Sequence, residues 1–412
     1  MPSLSDRLRA LGVKVGSQDL PPPQSANPYS IDRVLEGRVI ETPLGETYAV
    51  EAQYPIGYAQ GAVTLWFSHP LDGIAAWMQE ERIRNFSLQE FAFLDTETTG
   101  LAGGTGTYAF LIGVGRFIGD TFHLLQLFMR DPIEEPGQLA ALEAFLAPCS
   151  ALVTFNGKSF DLPLLITRYL THGWRPPFVE QVHIDLLHLA RRLWRARLPS
   201  RTLPNLEFQI LGATRTQEDV PGWMIPQMYF DYLRSGDARP LRSVFYHNAM
   251  DVLSLAALLN HTAELLVDPL NSKGQHGLDL VDMARLYEDQ GEIDLAIRLY
   301  LQALDLGIPQ DALPDALQRL AMIHKHMDNL EGAIPFWEQA ARLRHLNAHI
   351  ELAKAYEHRL QDLDAAIYWA ETALALVNDP GFPPYEKHYW QAELEHRLER
   401  LRRKRYAKPA SS

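Results

Sequence analysis

Three short stretches of this chain hold residue types that could do hydrolytic or metal chemistry. The first is Asp95-Thr96-Glu97, which follows the apolar run 91–94. In an extended strand residues i and i+2 face the same way, so the two carboxylates would lie side by side and repel. A hard divalent cation such as Mg2+, which prefers carboxylate oxygen, relieves that repulsion. The second is Asn156 with Asp161. Residues 151–155 predict a strand, Asn156-Gly157 a loop, and a helix begins near Phe160 with Pro163 in its first turn. Taken alone, Asp161 reads equally well as a helix cap. The third is His247 and Asp251, four apart in the helical run 245–255 and so on one face. Alone they read equally well as a surface pair.

The elements that must position these groups follow the order strand, strand, strand, helix, strand, helix. After residues 91–98 the glycines 103, 104 and 106 invite a phosphate-loop reading. No Gly-Lys-Ser/Thr follows, and the next segment, 108–114, is apolar and strand-like, so a tight turn between antiparallel strands is expected. Residues 122–128 predict a third strand and 138–145 a helix. Upstream, residues 1–20 predict a short amphipathic helix (Leu4, Leu8, Leu11), Pro21 to Pro23 a linker, and 38–67 a small strand-rich extension turning at Pro43-Leu44-Gly45.

In this order and spacing the three motifs resemble the exonuclease motifs of the DEDD, ribonuclease-H-like superfamily. The strings Asp-Thr-Glu-Thr-Thr-Gly-Leu from Asp95, Gly-Gly-Thr-Gly-Thr-Tyr from Gly103 and Tyr-His-Asn-x-x-Asp from Tyr246 look most like its YprB-type family, across about residues 89–265. The resemblance implies an α/β ribonuclease-H-like domain, a mixed sheet flanked by helices. It also implies two divalent metal ions, Mg2+ or Mn2+, held by Asp95, Glu97, Asp161 and Asp251, and hydrolysis of DNA or RNA phosphodiesters, normally from a 3′ end. One departure stands out. Superfamily members carry Tyr four residues before the last Asp or His five before it, whereas here His247 holds the first slot and Tyr246 the second.

The residues make sense of that chemistry. Four carboxylates can hold two divalent ions about 3.5–4 Å apart, one beside the attacking water and one beside the leaving oxygen. His247 is the favoured catalytic base: it lies one turn from Asp251, and imidazoles titrate near neutral pH. Tyr246 points about 100° away on an ideal helix. Asn156 and Lys158, in the loop before Asp161, are candidate nucleic-acid contacts. So are Arg191, Arg192 and Arg195, whose basic run also includes Arg197, Arg201 and Trp194, a ring for base stacking. Asp185 is expected behind the site or as a helix cap.

Past residue 265 small residues and aromatics recur (Ala284, Tyr287, Ala296, Tyr300; Ala321, Ala333, Trp337; Ala353, Tyr356, Ala366), first 37 and then about 33 residues apart. This resembles tetratricopeptide repeats, whose period is nominally about 34 residues. Such arrays usually bind a protein segment, so a protein partner is expected beside the nucleic acid. The expected division is a leader (1–88), the nuclease-like domain (89–265), helical repeats forming an all-α domain (276–378) and a basic tail (379–412) that reads as a nucleic-acid arm or a solvated end. Formal charge is 38 − 51 = −13, which disfavours a general nucleic-acid-coating protein, and the lone Cys149 excludes a disulfide framework. With no signal-like start and no apolar run approaching a membrane span, a cytoplasmic protein is expected. The competing reading is a catalytically silent scaffold, but a scaffold has no physical need for four mutually repelling acids.

Overall fold

The structure, a computed structural model, describes residues 27–66, 69–100, 106–271 and 276–407. The expected N-terminal helix, Pro21 to Pro23, the glycines 103 and 104, and Lys408 lie outside them. The chain divides into two compact units, each assembled from separated stretches: residues up to 68, 85–186 and 206–260 in the first, and 69–84, 187–205 and 261 onward in the second.

The first unit is built on a mixed sheet. Its strands are β1 (Arg38–Thr42), β2 (Gly45–Pro55), β5 (Phe91–Thr98), β6 (Ala109–Ile118), β7 (Thr121–Phe128), β8 (Ala151–Thr154) and β9 (Val182–Asp185); β3 (Ala59–Gln60) and β4 (Val63–Thr64) form a separate two-residue ladder. The seven strands lie in the order β1-β2-β7-β6-β5-β8-β9. Pairing is antiparallel from β1 to β5 and parallel from β5 through β8 to β9. Residues 91–94 and 151–154 are wholly buried, as central strands covered on both faces require.

Helices α1 (Glu135–Leu146) and α2 (Asp161–Thr171) pack on Leu94, Ile112, Val114 and Leu127. Helix α3 (Ile225–Ser235) and the start of α4 (Leu241–Val267) pack on Phe110, Phe128 and Met129. By length and composition α4 is apolar enough to cross a membrane, but 67% of its most apolar window is buried inside the protein, which marks a core helix. The run 38–55 is not a separate extension. β2 pairs with β7 from Tyr48↔Phe128 to Pro55↔Thr121, because the buried Tyr48 and Ala49 need the sheet's apolar cover.

The second unit contains α5 (Gly277–Gln290) to α6 (Ile293–Leu306), α7 (Leu313–His326) to α8 (Leu330–Arg342), and α9 (Leu346–His358) to α10 (Leu363–Asn378), three antiparallel pairs. Ala296, Ala333 and Ala366, then Ala303, Ala340 and Ala373, are fully buried at equivalent turns, where small side chains let helices approach. The expected tail is instead a packed helix, α11 (Pro384–Ala407), with Leu394, Leu398 and Leu401 buried at helical spacing. Its basic residues are engaged by the protein's own acids: Arg397, Arg400 and Lys404 by Glu357, Arg402 by Glu371, and Arg405 by Asp364.

Candidate active site

β5 delivers its side chains alternately to two faces, and the site is built on that alternation. Asp95 and Glu97 continue the row of Phe93, whose ring packs against Phe117 and Phe122 on the side facing α4. Across the ladder Asp95 and Phe93 oppose Gly113 and Gly115 of β6. A Cβ on Gly113 would stand 2.1 Å from Asn248 Oδ1, and one on Gly115 2.3 Å from Phe122 Cζ and 2.9 Å from Val252. The two glycines thus let α4 approach the sheet closely enough for Asn248 to donate to Asp95 Oδ2 at 2.9 Å. Thr96 points the other way, and its hydroxyl donates to Asp161 Oδ1 at 2.5 Å at the start of α2.

Three segments far apart in sequence therefore converge. One ligand atom each from Glu97, His247 and Asp251 lies within 4.8 Å of the others. Asp95 and Asp161 adjoin this trio without belonging to it, each tied to its own partner, Asn248 or Thr96. Burial raises the carboxyls of Asp95 and Glu97 well above the ordinary range, and the neighbouring acids raise them further. Asp161 is pushed up to about 6, chiefly by burial. Asp251 is raised by burial and drawn back by Arg215 and His247. A crowd of half-buried acids that hold their protons this firmly is one that a cation would relieve, and carboxylate oxygen suits a divalent ion such as Mg2+ or Mn2+.

His247 Nδ1 lies 2.7 Å from Asp219 Oδ1. A carboxylate only accepts, so Nδ1 carries the proton and, in the neutral ring, Nε2 keeps the lone pair. Nε2 stands 3.5 Å from Asp251 Oδ2, on the side of the carboxylates. Arg215 Nη1 lies 3.1 Å from the same Nδ1, but two donors cannot bond each other, so the Asp219 contact is the one that orients the ring. Tyr246 is turned away: its hydroxyl accepts from Thr216 N–H at 2.9 Å.

The remaining expected residues separate into two groups. Asn156 (φ 64°) and Lys158 donate their backbone N–H groups to Asp185 at 2.8 and 3.1 Å, so Asp185 holds the loop before Asp161. The Lys158 side chain is exposed, as nucleic-acid contact would require. Asn156 also lines a cleft of about 420 Å3 with Asp95, Thr98, Phe160 and Asp161. Arg191, Arg192 and Arg195 belong to the second unit. Arg192 pairs with Asp289 and Arg197 with Asp279 at 2.8 Å. Trp194 is 1% exposed and stacks on His261, so it offers no face to a base.

Four participants escaped the sequence reading. Asn248 stands in the Tyr-His-Asn string, and its place beside His247 was the available signal. Arg215, Asp219 and Glu207 had none, because only the fold brings them in. Glu207 opens a π-helical turn, Glu207–Leu211, a form that often marks functional sites.

A family model described as RNase_H superfamily matches residues 92–263, and a tetratricopeptide repeat model matches residues 280–310. The chain is also 32% identical over 338 residues to "Uncharacterized protein YprB" of Bacillus subtilis (strain 168), covering 79% of each chain. The superfamily supports a nuclease-type function, and its fold generally uses divalent metals, for which the carboxylate and histidine cluster is suited. The repeat points to protein interaction. Sharing the strand, loop and helix motifs on a mixed sheet and matching that relative over most of both lengths, the chain belongs to the YprB family, an RNase H superfamily domain joined to a tetratricopeptide repeat.

Proposed function

We propose that the chain is a metal-dependent nuclease that hydrolyses phosphodiester bonds of DNA or RNA, acting as a 3′→5′ exonuclease with two divalent ions. The observation that carries this reading is the convergence of Glu97, His247 and Asp251, with Asp95 and Asp161 beside them. When bound, the ions would align water and phosphorus and offset the charge on the leaving oxygen. The protein does the rest. Asp95, Glu97, Asp161 and Asp251 supply oxygen ligands from a strand and two helices. Asp219 holds the His247 ring so that Nε2 can accept a proton from the attacking water. Water oxygen bonds to phosphorus, the bond from phosphorus to O3′ breaks, and O3′ leaves with a proton from solvent; no covalent intermediate is needed. The cleft by Phe160 and Asn156 would take the terminal nucleotide.

One observation favours a second reading, a silent scaffold: Arg215 already engages Asp251. The deciding experiment is cleavage of 5′-labelled single-stranded DNA and RNA oligomers with Mg2+, Mn2+ or EDTA. A metal-dependent ladder that shortens from the 3′ end, absent in folded Asp95→Ala and Asp251→Ala, supports the exonuclease. Normal cleavage by either variant refutes the site assignment, and no cleavage by the wild type favours the scaffold.

A further inference from the structure

The acids of the site already have one cation, and it is a side chain. Arg215 is 9% exposed and its partner Glu207 2% exposed. Nε and Nη2 of Arg215 donate to the two Glu207 oxygens at 2.7 and 2.6 Å, a fork-to-fork pair that fixes the guanidinium plane. Nη2 also donates to Asp251 Oδ1, and Nη1 stands 3.6 Å from Asp219. Anchored on a buried glutamate, the guanidinium reaches Asp251 by design of the backbone rather than by chance of a surface rotamer. Glu207 itself is positioned by the π-helical turn, and that turn is packed against the β3–β4 ladder: Ala62 N–H donates to Leu211 C=O at 2.7 Å, and Gly61 leaves no room for a Cβ beside that carbonyl.

Asp251 has two oxygens. Oδ2 faces His247 Nε2, while Oδ1 is taken by Arg215. A divalent ion that draws on Asp251 must therefore share the carboxylate with a fixed positive charge. We infer that Arg215 is a resident counter-cation of this centre, which neutralises Asp251 before an ion arrives and competes with the ion for it, so that Arg215 sets the metal affinity without touching the metal. The inference rests on the metal-centre reading above. Arg215 is a positioning residue here, acting on the site through Asp251.

The test is titration of the full chain with Mn2+, followed by calorimetry or by the signal of free Mn2+. Removing Arg215 alone strands the buried Glu207 and risks the fold. The double variant Arg215→Gln/Glu207→Gln removes one positive and one negative charge, so local net charge is unchanged and the two amides can still bond each other. It is expected to bind Mn2+ about ten-fold more tightly than the wild type, the scale expected when one charge-assisted hydrogen bond no longer has to be broken. Tighter binding is a gain that a merely loosened fold does not produce. Equal or weaker binding by a double variant that melts within a few degrees of the wild type overturns the inference. If the wild type binds no Mn2+, or if Asp95→Asn binds it as tightly as the wild type, the ion is not held by these acids and the metal-centre reading itself fails, taking the inference with it; weaker binding by Asp95→Asn places the ion at these acids, and the double variant then decides the inference alone.

Discussion

Asn248 joins β5 to the helix that carries Asp251: its Nδ2 donates to Asp95 Oδ2 at 2.9 Å while its Oδ1 accepts from Gln126 at 2.9 Å. The side chain is fully buried, so both bonds form away from water. Asn248→Leu takes one hydrogen bond each from Asp95 and Gln126, and unmade buried hydrogen bonds cost about 1–3 kcal/mol each. The variant is expected to melt several degrees lower and to bind Mn2+ more weakly, because Asp95 loses the donor that favours its charged form. Gly113→Ala should do the same through its clash with Asn248; unchanged Mn2+ affinity in a folded Gly113→Ala protein would contradict the packing account.

The raised carboxyls make stability fall as pH rises. Asp161 titrates at about 6 in the fold against an ordinary 3.8, so between those values the folded state holds more protons than the unfolded one, and its advantage is lost as pH climbs through about 6. Asp95, Glu97 and Asp251 act in the same direction. Thermal melts without divalent metal should therefore show a lower Tm near pH 8 than near pH 5. A bound cation favours the charged forms, so added Mn2+ should raise Tm more at the higher pH. Equal metal-induced shifts at both pH values would count against these acids as the ligands.

His247→Ala is expected to lower the hydrolysis rate by about 10²–10⁴-fold, the usual contribution of a general base, while Mn2+ is still bound through the carboxylates. Tyr246→Phe removes only the acceptor of the Thr216 N–H and should change the rate little. Side-by-side rates and Mn2+ titrations of the two variants check this, and the reverse pattern would transfer the role to Tyr246.

Arg168 and Glu135 form a buried bidentate pair with both bonds at 2.6 Å, and His172 approaches the same glutamate at 2.8 Å. The pair ties α1 to α2, the helix that begins with Asp161. Breaking one side of a buried pair leaves an uncompensated charge and costs about 3–5 kcal/mol. Denaturant unfolding of Arg168→Ala should show a loss of that order, and a loss below 1 kcal/mol would show that the charges are relieved some other way.

The sequence was most legible where chemistry is local. Asp95 with Glu97 is a strand pattern and His247 with Asp251 a helix pattern, and both survive folding because each is set by the period of its own element. Asp161 was equally readable as a cap, and its position beside Thr96 emerges only when β5 and α2 meet. In the basic runs the pairing was the part that the sequence hid. Arg192, Arg197 and the arginines of α11 look unpaired along the chain, yet Asp289, Asp279 and Glu357 supply their counter-charges from distant helices. The Arg215 pair with Glu207 was illegible for the same cause: neither residue neighbours a motif, and only the fold brings Arg215 to Asp251.

The pairing of β2 with β7 has a practical corollary for anyone who cuts this gene into pieces. A fragment beginning at residue 89 would keep every acid of the site yet strip β7 of the strand beside it, baring a hydrogen-bonding edge across eight register positions. Exposed edges of that length seek other chains. Such a fragment should be isolated as aggregate, whereas one that begins before Asn27 retains its own cover for that edge.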